Sequence, residues 1–183
     1  MQVNNPVTYR RHIYSLLVLG VPIIIGQLGS IVQGLADTIM VGQYSTSSLA
    51  AAGFVNNVIT LVLVLALGYS YAITPVVGPF HAKDEIKEAG KTLRAGLQIN
   101  GILGMALLIV MGTLYFFIPM MGQPTELLPE IRPYYIVVLL SLPLQTLFNG
   151  FKQFFDGIGK TQTPMWIMLM ANLLNIIGNW LLI

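Results

Sequence analysis

Five long stretches of this chain are dominated by apolar residues, and short polar or charged segments separate them. The apolar stretches cover about residues 13–42, 49–77, 95–118, 133–155 and 165–183. As a helix rising about 1.5 Å per residue, each stretch is long enough to cross a hydrocarbon core roughly 30 Å thick. The pattern therefore predicts an all-α polytopic membrane protein with five transmembrane helices, organised as a single transmembrane domain over residues 1–183.

Composition supports a membrane protein and argues against other classes. Of the 183 residues, 55% are hydrophobic and 9% are charged, and the mean hydropathy is +0.76, whereas a soluble domain carries about 25% charged residues. The chain contains no cysteine, so no disulfide or thiolate metal site is expected. The net charge of +2 does not indicate nucleic acid as a partner. Soluble-enzyme motifs are absent from the sequence, and an enzyme is not predicted.

Lysine and arginine are distributed unevenly between the two sides of the predicted spans. Eight of the nine lie before the first span, between the second and third, or from the end of the fourth span to the start of the fifth, and only Arg132 lies elsewhere. The positive-inside rule then predicts a cytoplasmic N-terminus for a multi-pass protein of the cytoplasmic (inner) membrane. The most charged segment, residues 81–94, is predicted to form a short amphipathic helix at the membrane surface.

The first apolar stretch contains a single carboxylate, Asp37, near its end. A charged residue at membrane depth costs roughly 2.5–3.5 kcal/mol, so Asp37 should face protein or water. Helical steps of three or four residues back from Asp37 reach Gly34 or Gln33, then Ser30, then Gln27 or Gly26, which form a small and polar face. We therefore interpret Asp37 as an ion or proton site.

Amide side chains form helical stripes in two later spans. The stripe in the fifth span consists of Asn172, Asn175 and Asn179, and the one in the fourth span includes Asn149. One interpretation is that such amides only join helices by hydrogen bonds, with Asp37 as a structural partner of one of them. Three amides on one stripe, with an acid on another helix, favour a polar cavity. A hard cation such as Na⁺ requires oxygen ligands, which the amides supply if the first and fifth spans touch.

Three segments of the chain carry a resemblance to a known transporter family. They are residues 22–42 (PIIIGQLGSIVQGLADTIMVG) followed by 48–53 (SLAAAG), residues 74–96 (TPVVGPFHAKDEIKEAGKTLRAG) and residues 154–183 (FFDGIGKTQTPMWIMLMANLLNIIGNWLLI). In this order and spacing, the chain resembles the N-terminal half of the multidrug and toxic compound extrusion (MATE) transporters. The resemblance implies antiport that exports organic compounds against a coupling cation, Na⁺ or H⁺, with no further cofactor. Its implied partners are a small organic substrate and membrane lipid.

The resemblance also assigns candidate site residues. Asp37 matches the first-helix acid of the family's N-lobe cation site, while Asn175 and Asn179 match its fifth-helix polar pair. Many members have an aspartate where this chain has Asn179. A single acid favours Na⁺ over H⁺, so Asp37, Asn175 and Asn179 are the predicted Na⁺ ligands. The predicted lining of the substrate cavity consists of Gln33, Asn149 and Asn172.

The chain departs from the family in its number of spans. Family members have about twelve spans in two lobes, and alternating access requires both halves. With five spans, the last ending with the chain, we expect a C-terminal half to be missing or to come from a partner chain. Two alternatives stay open: a lipid-linked precursor flippase of similar architecture, which needs a strongly cationic cavity, and a non-transporting membrane scaffold.

Overall fold

A computed structural model describes residues 6–182, and this part of the chain is helical, without strands. Its helices are α1 (Pro6–Tyr44), α2 (Thr46–Ser70), α3 (Ile73–Ala82), α4 (Ile86–Leu114), α5 (Leu128–Gly157) and α6 (Gln162–Leu182). Two short 3₁₀ helices, Tyr115–Met120 and Thr125–Leu127, connect α4 to α5.

Five segments of the described chain are long and apolar enough to cross a membrane, as the sequence predicts. They are Tyr9–Tyr44, Thr46–Ala82, Ile86–Met120, Thr125–Gly157 and Gln162–Leu181. The first four extend beyond the predicted stretches at both ends, and Ile183 lies outside the described residues. Hydropathy marks only the apolar core of a span, whereas helical backbone hydrogen bonds continue into the polar flanks. The predicted fold class is confirmed.

The second span is divided into two helices. α2 ends at Ser70 and α3 begins at Ile73. The N–H groups of Tyr71 and Ala72 donate to the carbonyl oxygens of Leu67 and Tyr69, at 3.0 Å each. The backbone therefore stays hydrogen-bonded through the break, as membrane depth requires.

The predicted surface helix over residues 81–94 is wrong. α3 ends at Ala82, a turn with Asp84 at φ 58° follows, and α4 then runs without interruption from Ile86 to Leu114. The charged segment is therefore the first part of the third span. Its amphipathic stripe continues in phase into the apolar stretch, because Ala89 and Gly96 are both buried on the same side of α4. A continuous buried stripe stabilises one long helix.

The core lies around α5, which contacts α2, α3 and α4. Val55 of α2, Met111 of α4 and Leu142 of α5 are among its buried apolar residues. Tyr135 is fully buried in the same cluster, and its hydroxyl donates to the carbonyl oxygen of Met111 at 2.8 Å. Since lipid is as apolar as these side chains, close packing and internal hydrogen bonds hold the helices together.

A fully buried polar pair joins α2 to α4. Ser70 Oγ donates to Asn100 Oδ1 at 2.6 Å, and Asn100 Nδ2 donates to the carbonyl oxygen of Gly96 at 2.8 Å. α5 passes close to this pair, because a Cβ at Gly150 would lie 3.1 Å from Asn100 Nδ2. The Ser70 hydroxyl and the Asn100 amide therefore have hydrogen-bond partners inside the bundle, and we interpret this pair as a structural link between the helices.

Candidate functional site

α1 and α6 pack as a pair beside the other helices, with small residues at their interface. A Cβ at Gly26 would lie 3.7 Å from Met168 Sδ, and a Cβ at Gly29 would lie 2.6 Å from Leu169 Cδ2. These glycines therefore allow the backbones to approach closely. From Gly26 to Asp37, residues of α1 contact residues of α6 that lie about 142 positions later in the chain. Because this separation stays nearly constant, the two helices run parallel.

This register brings together four side chains, Gln33, Asp37, Asn175 and Asn179, which we call the amide–acid cluster. Asn179 Nδ2 donates to Asp37 Oδ1 at 2.7 Å and to Asn175 Oδ1 at 3.3 Å. Gln33 Nε2 donates to Asp37 Oδ2 and, at 3.2 Å, to Asn175 Oδ1. The cluster forms because an i, i+4 pair on α1 lies against an i, i+4 pair on α6. The three predicted ion ligands are thus neighbours, with Gln33 as a fourth member.

The negative charge of Asp37 is balanced here by dipoles alone. Both of its carboxylate oxygens accept hydrogen bonds from neutral amides. Within residues 9–181 the two ion pairs are Lys91–Glu88 and Lys152–Asp156, and neither involves Asp37. Because an unpaired charge in an apolar segment is costly, the cluster favours an added proton or cation.

The other two predicted cavity residues lie outside the cluster. Asn172 is on α6 beside Gly29, and its Nδ2 is buried without a hydrogen-bond partner among the described residues. Asn149 is on α5 and lines a separate cavity of about 330 Å³ with Gln145 and Phe148. Within the described chain, no hydrogen bond joins Asn149 to the amide–acid cluster. The role of both residues in substrate binding stays a prediction.

Other polar side chains of α5 are paired with polar neighbours on the same helix. Lys152 Nζ lies 3.1 Å from Asp156 Oδ2, and the two side chains are 14% and 9% exposed. Closer to the middle of the helix, Gln145 Nε2 donates to Ser141 Oγ at 2.7 Å. The charge of Lys152 is therefore neutralised by its neighbour on the same helix.

Sequence reasoning missed a contact at the end of the bundle where α1 meets α2. Ser47 Oγ, near the start of α2, donates to Glu130 Oε1 at 2.6 Å, near the start of α5. Beside it lies a cavity of about 950 Å³ whose lining includes Tyr44 and Tyr134. In the sequence, both residues lie in predicted connections between apolar stretches, where no helical spacing relates the serine to the glutamate. The sequence therefore gives no indication of this contact.

The side chains of the amide–acid cluster are of the type that binds hard cations rather than transition metals. In the described part of the chain, no three histidine, cysteine or acidic side chains come together. The cluster instead combines one carboxylate with amide oxygens, the ligand type that hard cations use. Asp37 and Asn175 already present oxygens at its centre, whereas Gln33 and Asn179 present nitrogens. A cation therefore fits after these two amides turn or withdraw.

Comparison with known proteins identifies related sequences. The family model named MatE matches residues 22–181. A probable multidrug resistance protein NorM from Synechococcus is 24% identical over 96% of this chain and 38% of its own length. The uncharacterized transporter YisQ from Bacillus subtilis is 29% identical over 93% of this chain and 38% of its own length. The chain therefore spans less than two-fifths of the length of these relatives.

Solved structures share the fold. A MOP superfamily transporter from Pyrococcus furiosus is 24% identical, with a TM-score of 0.78 over 90% of this chain and 37% of that one. An outward-facing multidrug resistance transporter of the MATE family has the same identity and TM-score over 89% of this chain and 36% of that one. At this identity the similarity shows the arrangement of helices.

Proposed function

The chain belongs to the MATE family, and from this premise we propose that it forms part of a cation-coupled antiporter that exports small organic compounds. Members of this family are transporters, which argues against an enzyme. The relative from Synechococcus bears a name that refers to multidrug resistance, and this supports a drug-like organic substrate. In this proposal the chain supplies five helices of the N-terminal lobe, and the remaining length of the relatives corresponds to the rest of that lobe and to a second lobe.

The observation that carries the proposal is the amide–acid cluster between α1 and α6. It holds a carboxylate in a membrane-spanning segment with neutral amides as its hydrogen-bond partners. An intramembrane acid of this kind is typical of ion and proton pathways. We propose that Asp37 binds the coupling cation together with Asn175 and Asn179.

Na⁺ is the proposed coupling ion, with H⁺ as the alternative. Proton exchange between two carboxylates requires a second acid, and position 179 is an asparagine. Amide oxygens from two helices can instead surround a hard cation. Because these amides belong to α6 and the acid to α1, ion binding would favour one arrangement of the two helices over another, which is the differential interaction that coupling requires.

The same charges suggest orientation and location. We propose that the N-terminus and the connection between the second and third spans, which contains Lys83, Lys87, Lys91 and Arg94, face the cytoplasm, in a cytoplasmic membrane, as the positive-inside rule favours. A precursor flippase is not favoured, because Lys152, the cation nearest to span depth, is neutralised by Asp156. A scaffold function makes no use of the intramembrane acid, so the experiment below separates it from transport.

The test is export by the full product of the gene that encodes this chain, reconstituted in vesicles under a Na⁺ or H⁺ gradient. Asp37→Asn should abolish cation-driven export of an organic dye, because the substitution removes the negative charge of the amide–acid cluster. Glu126→Gln, in the short 3₁₀ helix before α5, is the matched carboxylate control and should leave export unchanged. Undiminished export by Asp37→Asn under both gradients would refute the coupling role.

A further inference from the structure

We propose that Gln33 determines the cation affinity of the amide–acid cluster, because its amide nitrogen takes the place that the cation must occupy. This inference rests on the proposed function, since it concerns the same cluster. Gln33 is not one of the predicted ion ligands. The structure gives it a role that neither a ligand nor a simple helix-joining amide has: a tethered competitor.

The geometry of the hydrogen bonds is the first step. Gln33 Nε2 donates to Asp37 Oδ2 on its own helix and to Asn175 Oδ1 on α6. These two oxygens are ligands that a cation between α1 and α6 would need. A hard cation lies closer to its oxygens, at roughly 2.3–2.6 Å for Ca²⁺, than an amide nitrogen does. The NH₂ group and the cation therefore cannot occupy this position together.

The orientation of the Gln33 amide follows from its neighbours. Both groups within reach of its NH₂ are oxygen acceptors, a carboxylate and an amide carbonyl. A rotated amide would direct Oε1 at these oxygens, where it could accept nothing. Without a cation, the nitrogen therefore points into the cluster, and Asp37 accepts a hydrogen bond that a cation would have to displace.

Gln33 can also withdraw without disturbing the packing of α1 against α6. It is held by side-chain hydrogen bonds at the half-exposed edge of the interface, whereas close backbone contact occurs at Gly26 and Gly29, one to two turns earlier. Asn179 has the shorter side chain, and its nitrogen bridges the same two residues from α6. The flexible competitor is thus on α1, beside the acid.

If Gln33 competes with the cation, removal of its amide should raise the Na⁺ affinity, whereas removal of a ligand should lower it. Replacing Gln33 by methionine keeps the length of the side chain but removes the donor. Asp37 Oδ2 then loses a charge-assisted hydrogen bond that Na⁺ would otherwise have to break. Since such bonds are among the stronger ones in proteins, we expect Na⁺ to bind about tenfold more tightly.

The experiment measures Na⁺ binding to the purified full product of the gene in lipid nanodiscs by calorimetry, together with thermal unfolding in the absence of Na⁺. Gln33→Met is compared with Gln27→Met, the same substitution at an exposed position of the same helix. Gln33→Ala is a second variant in case methionine disturbs folding. Tighter Na⁺ binding by the Gln33 variants, with Gln27→Met unchanged, supports the proposal.

Three results would overturn it, and each has its own meaning. Weaker binding at unchanged thermal stability makes Gln33 an oxygen ligand. Weaker binding with a lower unfolding temperature makes it a helix-joining residue. If neither wild type nor variant binds Na⁺, there is no competition for Na⁺, while proton-driven export by the full protein can still be present. If one of these results is found and Asp37→Asn nevertheless abolishes export, this inference fails and the proposed function stands.

Discussion

Gly29 gives the sharpest test of how α1 and α6 meet. In Gly29→Ala, the new Cβ would lie 2.6 Å from Leu169 Cδ2 and 3.5 Å from Asn172 Nδ2. Leu169 must turn away or α6 must move outward by several tenths of an ångström. The first response disturbs the packing of Leu169, and the second separates the two helices one turn before the amide–acid cluster.

The magnitude follows from two opposing effects. Alanine in place of glycine within a helix is favourable by roughly 0.8–1 kcal/mol, while overpacking costs typically about 1–3 kcal/mol. The clashing atom is the end of a flexible side chain, so we expect the lower part of that range. Gly34→Ala is the matched control, because nothing lies within 4 Å of its new Cβ. Gly29→Ala should therefore be about 1–2 kcal/mol less stable than Gly34→Ala.

The assay is equilibrium unfolding in mixed micelles, extended to a double-mutant cycle with Leu169→Ala. In the Leu169→Ala background the clash is absent, so Gly29→Ala should become neutral or stabilising. Neighbouring residues in direct contact typically couple by about 0.5–3 kcal/mol. Additive effects of the two substitutions, or equal stabilities of Gly29→Ala and Gly34→Ala, would refute the close parallel packing of α1 and α6.

Two further predictions concern the rest of the bundle. In Gly104→Ala the new Cβ would lie 2.8 Å from the Cα of Pro143, and a backbone atom cannot turn away. We expect a loss of about 1–3 kcal/mol or more in the free energy of unfolding. Gly53→Ala, with open space around it, should show no loss, and equal stability of the two variants would contradict the packing of α4 on α5. Glu130→Ala and Ser47→Ala should each lower the unfolding temperature, since either removes the hydrogen bond between α2 and α5. The double variant should be no worse than the single ones, and fully additive losses would show that the two residues act independently.

Much of the fold could be predicted because a bilayer restricts what a chain can do. An apolar stretch of sufficient length has to be a helix, since every backbone group needs a partner within the segment. Helical spacing alone places Gln33 on the face of Asp37, and Asn175 on the face of Asn179. Spans one and five cross in the same direction, so these two faces are able to meet in parallel.

What the sequence could not supply depends on contacts between distant segments. The division of the second span at Ser70 has no proline or glycine at the break itself, and its polar partner, Asn100, lies 30 residues away. The contact between Ser47 and Glu130 spans 83 residues. The sequence predicts that Gln33 lines the substrate cavity, because helical spacing shows which face of the helix carries Gln33 but not which residues it contacts. Only the register of α1 against α6 sets its amide between Asp37 and Asn175.

The central claim is that Asp37, with the amides of α6, binds a cation within the membrane-spanning region. The most direct test is equilibrium binding of radioactive sodium to the purified full product of the gene in nanodiscs, comparing wild type with Asp37→Asn and with Glu126→Gln. The account predicts saturable Na⁺ binding by wild type and Glu126→Gln, and none by Asp37→Asn. Equal saturable binding by all three proteins would contradict it, because the ion would then bind elsewhere in the chain.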